Sequence, residues 1–207
     1  MMERKKMSKR EKLKQQILKR ALAHVPFEGW SQSVLEQAAF DVTGDASYGW
    51  RLFPKGPLEA VAYWSALLDQ EMIASLPVPE DCRVRARVAL AVKTRLQLLG
   101  PTKEAARKTT VYIALPQNMP EASRLLYATV NEIWYYAGDT ATDYNFYTKR
   151  GLLAWVYSAT FLYWLQDKSD EYEATWAFLG RRIDEVLKLP QLPKVFMERL
   201  LFWKRHG

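Results

Sequence analysis

Cysteine, histidine, glycine and proline are all scarce in this chain of 207 residues, and each scarcity excludes something. A single cysteine, Cys82, forbids an intrachain disulfide, and two histidines at opposite ends, His24 and His206, cannot complete a Cys/His zinc site. A lone thiol fits a reducing compartment. Catalytic signatures are missing too: no HExxH, no Glu-x-x-His pair, no glycine-rich phosphate loop and no G-x-S-x-G elbow occurs. The carboxylates Asp139, Asp143, Asp167, Asp170, Glu171 and Glu173 therefore read as helix caps and solvated faces, and neither an enzyme nor a cofactor is expected. The longest strongly apolar run, Gly151 to Leu165, is about 15 residues, against the roughly 20 that a spanning helix needs. Behind Met1 there is neither an apolar signal core nor the Ser-rich, acid-poor stretch of a mitochondrial transit peptide. The sequence thus predicts a protein of a bacterial cytoplasm, peripheral to the inner membrane.

Charge is present, and it has an address. Nine basic and two acidic residues fall within residues 1–20, while the remainder carries equal numbers of each sign, so the net charge of +7 belongs to an N-terminal arm. Such an arm meets phosphates, whether of nucleic acid or of lipid headgroups, more readily than a scattered surplus would.

Between the few glycines and prolines, apolar residues recur every three or four positions, which predicts an all-α chain. Leu13, Ile17, Leu18, Ala21 and Leu22 make one stripe of a first helix that ends near Pro26. Ser31 or Ser33 caps a second, Val34 to Asp41, closed by Gly44; a third, Ala46 to Leu52, meets Pro54. Pro57 opens a longer helix running to about Leu76. Helices follow over 81–99, 102–115, 121–137, 142–166 and 170–189, with Pro116 and Pro120 read as stops, and a last helix spans 193–205. The spacing of the first three is that of a helix-turn-helix unit. Three regions are expected: 1–56, the arm and helix-turn-helix-like unit; 57–189, a larger helical bundle; and 190–207, an amphipathic terminal helix.

The second helix of the helix-turn-helix is poorly equipped for bases. Ala46 to Arg51 offers one cation, starts beside Asp45, and contains Gly49, so nucleic acid is an unfavoured partner. Aromatics are abundant instead, with eight Trp, eleven Tyr and eight Phe. Many crowd into residues 134–164, where adjacent rings cannot all face one neighbour. Two readings stand side by side, a bulky core and an apolar ligand chamber between helices. Helical position puts Trp64, Leu67, Leu68, Met72, Trp134, Trp155 and Phe161 in the lining of such a chamber.

Two further constellations stand out. Asp143, Phe146, Tyr147 and Arg150 are spaced at three, four and seven, sharing a helix face whose aromatic and arginine content suits a protein interface. In the last helix, Phe196, Leu200, Phe202 and Trp203 build a broad apolar face with basic residues opposite and at its margins, the pattern of a segment lying on an anionic membrane.

At these residues a resemblance emerges. The run Trp30-Ser31 through Phe53-Pro54-Lys55-Gly56 to Leu58-Glu59-Ala60 resembles the helix-turn-helix of the tetracycline-repressor superfamily. More specifically, Ile133-Trp134-Tyr135-Tyr136-Ala137-Gly138-Asp139, Thr142-Asp143-Tyr144-Asn145-Phe146-Tyr147-Thr148-Lys149-Arg150, Leu165-Gln166-Asp167 and Thr175-Trp176-Ala177-Phe178-Leu179 resemble one non-repressor branch, the ubiquinone biosynthesis accessory proteins called Coq-nine. The resemblance covers about residues 10–190. It implies a homodimeric, all-helical lipid-binding protein without catalysis, which binds isoprenoid quinone or phospholipid at the membrane surface and presents quinone intermediates to the di-iron hydroxylase of that pathway. It implies that Asp143, Phe146, Tyr147 and Arg150 contact the hydroxylase, with Phe146 standing where Trp is often found, and that the terminal helix touches the bilayer. The alternative is a tetracycline-repressor-type transcriptional regulator sensing an apolar ligand.

Overall fold

The structure is a computed structural model that describes residues 7–78, 83–138 and 144–188. Every long element among them is a helix: α1 (Lys9–Glu28), α2 (Gln32–Thr43), α3 (Tyr48–Leu52), α4 (Pro57–Ser75), α5 (Val84–Leu99), α6 (Lys103–Ile113), α7 (Met119–Tyr136), α8 (Tyr144–Gln166) and α9 (Glu173–Lys188). The described elements are helical, as expected. The expected terminal helix, with Phe196, Leu200, Phe202 and Trp203, lies outside the described residues, as does Asp143.

The chain forms two compact units, residues 1–150 and 151–207, dividing inside α8 rather than at 56. In the first unit α1 packs on α2 and α6, α2 on α3, and α4, α5 and α7 on one another. The contact between α1 and α6 ties the helix-turn-helix-like part to the longer helices of the same unit, which is why no border falls at 56.

Local chemistry fixes the ends. Ser8 and Ser31 accept hydrogen bonds from the amides of Glu11 and Val34, capping α1 and α2. Gly44, at φ 75°, closes α2 in the left-handed conformation that other residues resist. Pro26 lies within α1, which runs on to Glu28: so close to the end, the missing amide removes little, and the Gly29 amide still bonds the Val25 carbonyl. Helix α3 starts at Tyr48 rather than Ala46 because the Asp45 carboxylate holds the Ser47 amide at 2.8 Å in a turn. Pro120, expected to stop a helix, sits in the first turn of α7, where a fixed φ costs nothing.

Two features bind the first unit together. Phe53 is fully buried, with Lys14 Nζ 4.8 Å from both the Phe53 and Tyr63 rings and 3.0 Å from Glu59, so the Phe-Pro-Lys-Gly segment joins α1 to α4. Deeper in, Asp69 of α4 and Arg95 of α5 form a buried ion pair at 2.7 Å, with Thr129 of α7 donating to the same carboxylate at 3.1 Å and Arg95 donating to Ser65 at 3.0 Å. A charge survives burial only when partnered in this way. Nothing in the periodicity announced it, since Asp69 and Arg95 lie 26 residues apart.

Candidate functional site

The corner between α7 and α8 carries the residues the sequence singled out for partner binding. The Trp134 indole on α7 donates to the Lys149 carbonyl at 3.2 Å, and Lys149 Nζ lies 5.8 Å from the Trp134 ring centre. Asn131, one turn earlier, accepts from Arg150 Nε at 3.1 Å and from its second terminal nitrogen at 3.0 Å. Two α7 side chains thus grip the start of α8.

Exposure separates the predicted face. Tyr147 is 72% exposed, whereas Arg150 is 6% exposed and spends hydrogen bonds on Asn131. Spacing places both on one side of a helix, but three residues along is a rotation of some 60°, enough for α7 to cover one and leave the other in solvent. Tyr135 on α7 is 79% exposed. Asn131 and Tyr135 escaped the sequence reading: the run Trp134-Tyr135-Tyr136 signalled that some ring must face outward, without telling which.

The predicted lining residues divide among three settings. Trp64, Leu68 and Met72 are buried one turn apart along α4, with Leu67 half-buried beside them. Trp134 is half-buried at the α7–α8 corner. In the second unit, Phe161 stacks between Tyr157 and Trp164, centroids 6.2 and 5.9 Å away. Trp155 is half-exposed and lines a hollow of about 310 Å³ with Leu152, Glu185 and Val186. That hollow gathers one of the seven.

Around Trp155 the surface is aromatic and cationic. The Arg182 guanidinium lies 5.7 Å from the Trp155 ring and 5.0 Å from the Phe178 ring, while Phe178 stacks on Tyr163 at 4.5 Å. Leu162, seven residues beyond Trp155 on the same side of α8, is exposed as well. The loop from α8 to α9 is organised by Asp167, whose carboxylate accepts from the amides of Ser169 (2.8 Å) and Thr175 (2.9 Å) and from the Thr175 hydroxyl (2.5 Å). Partial burial works against the charge, but these hydrogen bonds outweigh it and hold the carboxyl at about 2. Among the described residues no group of three His, Cys, Asp or Glu side chains is arranged to hold a metal, and no helix is long and apolar enough to cross a membrane.

The comparisons with known proteins converge. Residues 119–190, which include the α7–α8 corner and Asp167, match the family model COQ9. The human "Ubiquinone biosynthesis protein COQ9, mitochondrial" is 31% identical over 193 residues, covering 89% of this chain and 60% of the human protein. COQ9-B of Xenopus laevis is 35% identical, covering 86% of this chain and 64% of its own, and the Drosophila melanogaster protein is 31% identical, covering 90% and 59%. The chain thus spans about 60% of the length of the curated relatives it matches. Among solved structures, the TetR transcriptional regulator from Nitrosomonas europaea superposes with a TM-score of 0.70 at 17% identity, covering 86% of this chain and 99% of the regulator, a likeness of fold.

These relatives overturn one expectation. All three are mitochondrial by name, against the bacterial cytoplasm read from the N-terminal residues. That reading leaned on the missing transit-peptide character of a chain much shorter than its relatives, and the character of these first residues does not report a compartment. With its α7–α8 corner inside the segment that matches the COQ9 model and nearly nine tenths of its length aligned to these relatives, the chain is similar to the COQ9 proteins over most of its own length.

Proposed function

We propose that this chain acts in ubiquinone biosynthesis, in mitochondria, as an accessory protein without catalysis of its own that binds isoprenoid quinone intermediates at the membrane surface and presents them to the di-iron hydroxylase. The observation that carries the proposal is the position of the α7–α8 corner, with exposed Tyr147 and Tyr135, inside the segment matching the COQ9 model. Exposed aromatics on a well-held backbone are the side chains that anchor protein interfaces. In this reading Tyr147, with Asp143 and Phe146 on the adjoining stretch, touches the hydroxylase, and Arg150 holds α8 in position through Asn131.

The lipid side of the proposal rests on physical need. An isoprenoid tail is insoluble, and each methylene shielded from water contributes about 0.8 kcal/mol, so partial cover offsets much of the cost of leaving the bilayer. Trp64, Leu67, Leu68, Met72, Trp134, Trp155 and Phe161 are the proposed cover, and Phe196, Leu200, Phe202 and Trp203 the proposed contact with an anionic membrane. The half-exposed Trp155 and Leu162 supply a face for a second copy of the chain. The five-residue α3, with Arg51 as its one cation, supports this reading over a DNA-binding regulator.

Two measurements test it. Purified protein extracted with organic solvent is expected to release a quinone or its biosynthetic precursor, and Tyr147→Ala is expected to weaken binding to the hydroxylase by tenfold or more, on the order of 2 kcal/mol for an interface anchor. Full affinity in the variant, or an extract holding no isoprenoid, refutes the corresponding half. For the membrane contact, Phe196→Ser, Leu200→Ser and Trp203→Ser together are expected to abolish flotation with anionic liposomes; unchanged flotation removes that part.

A further inference from the structure

The opening turns of α1 and the short α3 flank an open hollow of about 360 Å³, lined by Lys9, Arg10, Leu13, Tyr48, Arg51 and Leu52, none of them a residue of the α7–α8 corner. Its floor is apolar: Leu52 is buried, with Leu13 and Tyr48 half-buried. Its rim is three exposed cations. Lys9 and Arg10 enter no ion pair among the described residues. Arg51 lies 5.1 Å from the Tyr48 ring, and the carboxylate near enough to feel its charge, Asp45, is engaged with the Ser47 amide. Lys9 and Arg10 also stand in the first turn of α1, where the helix dipole is positive and disfavours cations. Glu11 in the same turn offsets part of that penalty, and helix stability alone does not favour two cations there.

A cationic rim over an apolar floor matches an amphiphilic anion whose phosphate oxygens meet the rim while its first carbons rest on the leucines and the tyrosine. Duplex DNA shares the phosphate but would leave the floor unused, and α3 offers it almost nothing for the bases. We propose that this groove binds the phosphate headgroup of an anionic phospholipid. The inference rests on the membrane-surface part of the proposed function and gives the membrane a second point of contact, remote in sequence from residues 190–207.

The test uses the full chain with phosphatidylcholine vesicles, with and without phosphatidylglycerol, in a co-sedimentation assay. Lys9→Gln, Arg10→Gln and Arg51→Gln together are expected to weaken binding to the anionic vesicles about a hundredfold. A control losing the same charge outside the groove, Lys12→Gln, Lys19→Gln and Lys108→Gln, is expected to stay within about threefold of the parent. Thermal melts matching the parent establish that both variants fold. In a second arm, short-chain dihexanoyl-phosphatidylglycerol is expected to shift the Arg51 Nε and Trp50 indole resonances in the parent and in the Phe196→Ser, Leu200→Ser, Trp203→Ser variant alike, so that failure of the terminal anchor and failure of the groove are told apart. Equal losses in groove and control variants overturn the proposal. So do resonance shifts reproduced by inorganic phosphate at the same concentration, or a groove variant that loses duplex DNA binding while retaining the vesicles.

Discussion

Asp69 and Arg95 are the charges with most at stake in the first unit, because both are buried and each depends on the other. Arg95→Met leaves the Asp69 carboxylate with Thr129 alone among these named partners, and is expected to destabilise the fold by about 3–5 kcal/mol, read from urea unfolding. Replacing both, Asp69→Leu with Arg95→Met, is expected to cost much less, because no orphaned charge remains. Gly49 is a second sensitive position: a Cβ there would lie 2.9 Å from the Glu36 amide nitrogen, on rigid helix backbone. Gly49→Ala is therefore expected to push α3 off α2 at about 1–3 kcal/mol, visible as a lower melting temperature. At the α1–α2 surface, Asp41 accepts from His24 (2.9 Å), Arg20 (2.6 Å) and Gln37 (2.8 Å), which together hold its carboxyl at about 2 against 3.8 when unperturbed. A carboxyl with a lowered folded value stabilises the native state fully above its unfolded value and ceases to do so as pH falls through about 2. Circular dichroism melts from about pH 5 downward are expected to show a larger acid-dependent decrement in the parent than in Asp41→Asn, where Asp167 still contributes its own.

Among elements, the turn joining α8 and α9 shows what composition can and cannot announce. Asp167 and Thr175 belong to stretches shared with the COQ9 resemblance, yet their visible task is architectural: the carboxylate and the fully buried threonine close the loop and start α9. Thr175→Val is expected to remove the hydroxyl bond while keeping shape, at about 1 kcal/mol, typical of a lost cap. Because this carboxyl is also held at about 2, the support it lends to α9 is complete at neutral pH and fades only in strong acid. Most helix bounds were legible because serine caps, proline and left-handed glycine act locally, within one turn. Pro120 was misread because proline marks the end of one helix and the first turn of the next with equal ease. The site was less legible. Tyr147 and Arg150 share a face by spacing, but whether α7 covers that face depends on contacts between distant parts of the sequence, which spacing on one helix does not encode.

For the whole molecule, the exposed Trp155 and Leu162 on α8 set the expectation of self-association. Trp155→Glu with Leu162→Glu is expected to convert a homodimer into monomers by light scattering at micromolar concentration; an unchanged mass places the interface elsewhere. The structure distributes the aromatics read from the sequence unevenly: Trp64 and Trp164 are buried, Tyr157, Phe161 and Trp164 stack in a row, and Tyr135, Tyr147 and Trp155 are exposed. Composition gives the supply of rings, while their distribution depends on which neighbours arrive.

The carboxylate–guanidinium latch inside the first unit also limits how a guest molecule can get in. Prising α5 from α4 at the level of Asp69 would strip both ions of their partners in a dry medium, a far steeper demand than sliding leucines apart. Any swelling that admits a bulky tail must begin above or below that latch, toward the helix ends, where the contacts that would have to part are single hydrogen bonds such as Arg87 to the Ala137 carbonyl rather than a buried ion pair.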